Sequence, residues 1–150
     1  MIKDFVYDDG GRLAAGYKDP AGDCVCRAVA IASGRPYAEV RDRLRRGTGR
    51  VRHSKRRPNP DNGIYIRARW FTLLMQEFGF EWVDKPDLPD VGRMVVMTRT
   101  HAFAVIDTTA RDTHMRRLAD RRFGYWIKQA WCPFCKRAHI GGDTCMGHHP

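Results

Sequence analysis

No apolar run in this chain approaches the about 18 residues that a membrane-crossing helix requires, which argues against a helical membrane protein and a membrane partner. Its first residues, MIKDFVYDDGG, lack a basic segment followed by an apolar one, so no secretion signal is expected there. A cytoplasmic protein is the expectation. Internal repeats are missing, which excludes a solenoid. The cysteines number five, an odd count, and three of them sit near the C-terminus at metal-ligand spacing. That distribution argues for reduced thiols and a metal rather than a disulfide framework. Acidic residues are in deficit: 27 Lys+Arg against 17 Asp+Glu leave a net charge of +10. Such a balance suits a polyanion such as nucleic acid, or is a solvated basic surface; charge alone does not separate the two.

What is present is enough for one domain. A chain of 150 residues buries about two-thirds of the surface its unfolded form exposes, so no disulfide staple is needed. Residues 1–128 read as the body and 129–150 as a small appended element. After a lead of extended strand and loop, Asp23 is expected to cap a helix over CVCRAVAIAS that ends at Gly34. RPYAEVRDRLRR starts a second helix with Pro36 at its first position. Residues 47–63, rich in Gly, Pro, Asn and basic side chains, read as a loop. IYIRARWFTLLMQEFGF then predicts a third helix with Ile66, Trp70, Leu73, Leu74 and Phe78 on its apolar face, closed by Gly79. From FEWV onward, short β-branched and aromatic runs alternate with turn residues, as in an antiparallel sheet. The expected class is α+β, with the helices packed on one face of the sheet.

The stretch GDCVCRAVAIASG places Cys24 where that first helix begins. Unpaired N–H groups and the macrodipole at a helix start stabilise a thiolate, and the same N–H groups can hold an oxyanion. Cys24 and Cys26 lack the two-residue spacing of a thioredoxin-like pair, and Cys26 points to another face. The thiol needs a base. If Asp107 and Thr108 form a tight hairpin turn, Ile106 pairs with Thr109, and His101 and Asp112 become diagonal neighbours on adjacent strands. Asp112 would then hold the Nδ1 hydrogen of His101 and leave Nε2 for the thiol. The bland alternatives are a packing cysteine, a hydrogen-bonded surface histidine and a turn-side aspartate.

GDC opening an apolar helix, followed by HAFAVI and then RDT on the next strand, resembles the papain-like cysteine peptidase superfamily. Within it the compact bacteriocin-processing peptidases, and small phage and bacterial proteins of the same pattern, are the most similar. Residues 16–46 and 92–126 carry the resemblance. It implies a papain-like fold and a protein or peptide substrate. It also implies a site with Cys24 as nucleophile, His101 as base and Asp112 as orienter, acting on an amide bond through a thioester. Peptide hydrolysis, isopeptidase action, deamidation and transglutamination all stay open, as does loss of activity. Superfamily members usually carry a glutamine shortly before the cysteine as oxyanion donor; here Lys18 lies near that place, with no Gln or Asn nearby.

The tail, WCPFCKRAHIGGDTCMGHHP, has the ligand spacing of a zinc ribbon or knuckle. Cys132 and Cys135 form C-x-x-C, and Cys145 with His148 forms C-x-x-H, with His139 and His149 as alternative fourth ligands. Four protein ligands close the shell, so the zinc would be structural, and its binding would drive folding of so small a module. A second function stays open: a catalytically inactive scaffold that binds nucleic acid through Arg50, Arg52, Lys55, Arg56 and Arg57, with Trp131 and Phe134 stacking on bases.

Overall fold

Arg93–Thr98 (β3) and Ala102–Ile106 (β4) are apolar at nearly every position, and nearly every position is buried. Strands of that kind need cover on both faces. The computed structural model, which describes residues 1–18, 22–48, 60, 61 and 63–130 in full and the backbone of 131, 132 and 137–139, places them at the centre of a sheet. Around them lie Asp4–Tyr7 (β1), Phe80–Val83 (β2), Thr109–Asp112 (β5) and Arg122–Lys128 (β6), in the order β1-β5-β4-β3-β6-β2. Three helices, Cys24–Ser33 (α1), Tyr37–Thr48 (α2) and Arg69–Glu77 (α3), complete a mixed α+β body.

The helices gather on one face, as expected. Val95, Met97, Ala102, Ala104 and Trp126 join them in one apolar cluster. On the opposite face Met94, Val96, Phe103, Val105 and Ile127 are covered by loop and edge residues, including Ile2, Phe5, Leu88 and Leu118. The sheet is mixed rather than antiparallel, because β1 pairs parallel with β5, Tyr7 opposite Asp112. Hairpin turns force antiparallel pairing on neighbouring strands, but β1 is remote from β5 in sequence and no turn sets its direction.

Two helix expectations need correcting. α2 runs on through Gly47 and Thr48, which were assigned to the loop; glycine is the residue the helix can carry there, because the Trp70 indole lies where a Cβ on Gly47 would be. α3 starts only at Arg69 and buries Phe71, Leu74, Met75 and Phe78, while Leu73 is exposed. The stripe at 71, 74, 75 and 78 joins the core shared with α2 and the sheet; the expected stripe was rotated about its axis.

Ala130–Cys132 (β7) and Arg137–His139 (β8) form a separate two-stranded ladder, Cys132 opposite Arg137. Cys135, Cys145, His148 and His149 lie outside the described residues, as do Arg50, Arg52, Lys55, Arg56 and Arg57. Among the described residues no helix is long and apolar enough to cross a membrane.

Candidate active site

α1 is buried from Val25 to Ala32, so it is a core helix, and only its two end residues, Cys24 and Ser33, reach partial exposure. Gly34, in the left-handed conformation at φ 72°, ends it, and its N–H donates to the Ala30 carbonyl. The start is built differently from the expectation. Asp23 makes no side-chain cap. Its carboxylate is drawn instead to the guanidinium of Arg27, to Arg12 Nη1 at 3.1 Å and to the Tyr37 hydroxyl, which donates at 2.7 Å. Two charged donors outcompete neutral backbone N–H groups for a buried carboxylate. That side chain therefore takes up none of the N–H groups at the helix start beside Cys24.

The base arrives from the sheet. Ile106 pairs with Thr109, Val105 with Ala110 and Ala104 with Arg111, the register inferred from a turn at Asp107 and Thr108. Asp107 takes φ 56° in that turn, and its carboxylate accepts from the Gly92 N–H at 3.0 Å. His101, one residue before β4, and Asp112, the last residue of β5, consequently meet: imidazole Nε2 and carboxylate Oδ2 are 2.6 Å apart. The ring is used in the opposite sense to the expectation, with Nε2 on the carboxylate and Nδ1 left for the thiol. His101 enters β4 from the 98–101 turn, where Thr98 N–H and Oγ1 both donate to its carbonyl, at 2.9 and 3.1 Å, and this fixes the ring's approach. Phe103 stacks against one side of the ring, and His114 meets it edge-on at 6.0 Å between centroids.

Electrostatics at the site favour the ionised thiol. Burial alone would raise the Cys24 pKa, but the hydrogen bond and charge of His101, the Ala102 N–H and the charge of Arg27 outweigh it and hold the thiol below its ordinary 9.0. Burial likewise opposes protonation of His101, yet its bonds to Asp112 and Cys24 raise it to about 9. Asp112 is held below the ordinary carboxyl value: burial works against this, and His101, the Thr113 N–H and Arg27 overcome it. Cys26 contrasts with all of these. It is fully buried, and burial pushes its thiol up to about 12. Position at the helix start, rather than residue type, separates the two cysteines.

No family model, curated protein or solved structure matches this chain. The chemistry has to be read from the site itself.

A cleft of about 420 Å³ lies on the same face of the sheet, walled by Ile66, Trp82, Phe123 and Trp126 with Arg67 and Asp84 among its lining. Register relates it to the thiol. The Ala102 N–H that reaches Cys24 belongs to a residue paired with Met97; Met97 pairs with Gly124, and the Trp82 ring lies over Gly124. Two strand spacings make that separation about 10 Å. Lys18 is exposed and makes no hydrogen bond to the thiol, imidazole or carboxylate among the described residues. No group of three or more His, Cys, Asp or Glu side chains among the described residues is placed to hold a metal ion.

Sequence reading missed Arg27, Arg12, Tyr37 and Thr98 as parts of this site. For Arg27 a signal was present: a lone charge inside an apolar helix, four residues after an aspartate. For the others the partners come from distant segments, and no local pattern marks them.

Proposed function

We propose that this protein is a papain-like cysteine hydrolase or acyltransferase that opens an amide bond in a protein or peptide through a thioester on Cys24. The observation that carries this reading is the alignment of Cys24, His101 and Asp112, with the thiol's pKa lowered and the imidazole's raised. In the first step the Cys24 thiolate attacks the carbonyl carbon and forms the C–S bond. The oxyanion that develops is held by N–H groups at the start of α1. The C–N bond breaks as protonated His101 gives its Nδ1 hydrogen to the leaving amine. Water then adds to the thioester with its proton passing to His101, and the C–S bond breaks to release the acid and restore the thiolate. If an amine takes the place of water, the same step is acyl transfer. Asp112 stays ionised throughout and holds the ring. The nearby aromatic cleft gives the flanking part of a substrate an apolar surface.

Iodoacetamide labelling followed residue by residue by mass spectrometry tests the nucleophile. Cys24 is expected to label at neutral pH far faster than Cys26, and His101→Asn to slow the Cys24 reaction while Cys26, buried, stays slow. Turnover of a quenched mixed-peptide library, or ammonia release from glutamine-containing peptides, is expected to vanish in Cys24→Ala. A Cys24 that labels no faster than free cysteine would remove the basis of the reading.

A further inference from the structure

Eight consecutive residues of α1, Val25 to Ala32, are buried, and Arg27 is the one charge among them. A guanidinium in such a place is costly unless its partners are close and charged. It has two. Nη1 donates to Asp23, the residue immediately before the thiol, and Nη2 lies 3.6 Å from Oδ1 of Asp112, the carboxylate behind the imidazole. Both carboxylates are almost wholly buried, at 1% and 2% exposure. The other carboxylate oxygen of Asp112 is the one that takes His101 Nε2. A single planar fork therefore spans the two halves of the site, the helix start and the strand end, from behind.

The N-terminal loop packs closely against the backbone of Arg27. Gly10, at φ 69°, lies so near that a Cβ there would come within 3.0 Å of the Arg27 carbonyl. The Asp8 N–H donates to the Asp112 carbonyl at 3.1 Å and Arg12 Nη1 donates to Asp23 at 3.1 Å, so the N-terminal segment is fastened to both ends of the bridge. Among the described residues, the charged and titratable groups facing it are Asp23 just before its own helix, Cys24 at that helix's start, Asp112 of β5 and His101 before β4. Arg12 of the N-terminal loop and Tyr37 of α2 complete the set, both through Asp23.

We infer that Arg27 is a positioning residue of this site: by tying Asp23 to Asp112 it sets the spacing between the thiol's helix and the imidazole's carboxylate, and it keeps Asp112 aimed at Nε2. The inference rests on the proposed Cys24–His101 chemistry and adds a part to it. Arginine is required over lysine because an ammonium is a point charge that cannot engage two carboxylates through one rigid plane.

The test is the pH profile of Cys24 alkylation by iodoacetamide in the full chain, compared among native protein, Arg27→Lys and the double variant Asp23→Asn/Arg27→Gln. The lysine keeps the interior charge; the double variant removes one charge of each sign and leaves an amide pair. Circular dichroism and thermal melting establish that each is folded. Both are expected to move the thiol's half-reactivity point upward by about one pH unit, a loss of about tenfold in rate on the acidic limb. Nitrogen NMR of His101 is expected to show its titration moved as well. Folded variants whose profiles coincide with the native one overturn the inference, because a merely structural arginine would leave the titration in place. Failure of both variants to fold also overturns it, and assigns Arg27 to the fold alone. If the native thiol itself titrates as an ordinary cysteine, the Cys24–His101 reading falls first, and that result is distinct from either.

Discussion

His101 Nε2 and Asp112 Oδ2 meet at 2.6 Å across two strands joined by a two-residue turn. The contact is nearly closed to solvent, with the two side chains 8% and 2% exposed. A carboxylate there keeps the imidazole both oriented and protonated. Asp112→Asn preserves the shape and removes the charge, so the thiolate at neutral pH is expected to decrease. Loss of catalysis of about 100-fold to 10,000-fold is expected, read as the rate of thioester formation, with substrate binding little changed.

The pH dependence follows from two opposed shifts. The Cys24 thiol is held below its ordinary value and His101 stays protonated up to about 9, so the ion pair exists from the lowered thiol pKa up to about 9. A reaction that needs the His101 proton is expected to fall away as pH rises through about 9. Alkylation needs only the thiolate and is expected to show no such fall. In His101→Asn the bond and charge of His101 are lost while burial remains, and the acidic limb is expected to move to higher pH. Acylation and alkylation profiles measured side by side check this.

Acid stability carries its own signature. Asp112 has its pKa lowered in the fold, so the folded state releases this proton more readily than the unfolded chain. Its contribution is present above the ordinary value of 3.8 and is lost as pH falls through the lowered one. Asp112→Asn is expected to flatten that part of the acid limb in urea denaturation series recorded from neutral pH downward.

Gly124 is where β6 passes beneath the Trp82 ring. A Cβ there would sit 2.3 Å from the ring and 2.8 Å from the Val83 carbonyl oxygen, a backbone atom that cannot swing aside. Gly124→Ala is expected to cost about 1–3 kcal/mol in chemical denaturation. It is also expected to disturb the tryptophan fluorescence of the cleft.

The C-terminal ligand pattern predicts one zinc ion held by Cys132, Cys135 and Cys145 with a histidine. Colorimetric zinc release on thiol modification is expected to give one equivalent per chain, and Cys132→Ser or Cys145→Ser to give none. Because the ion would be structural, labelling of Cys24 is expected to persist in those variants.

Much was legible in the residues themselves. An apolar run with a glycine after it reads as a helix, and α1 spans Cys24–Ser33 as read, although the expected Asp23 side-chain cap is not made. The two-residue turn at Asp107 sets strand register by counting, which is why His101 and Asp112 could be paired from sequence. By contrast, the rotation of α3 was misread, because five apolar positions crowd RWFTLLM and only the neighbouring helix and sheet select among the possible faces.

The sequence by itself determined the local geometry: where a helix begins, which residue stands there, and which residues face each other across a tight turn. Such relations involve few degrees of freedom and short loops. Tertiary structure alone decided that Asp23 would abandon its cap for Arg27, Arg12 and Tyr37, that β1 would join the sheet in parallel, and that one buried arginine would bridge two carboxylates 89 positions apart, 23 and 112. Those outcomes depend on which charges are left without water once the core has closed. That competition is settled by distances between segments the chain order does not bring together.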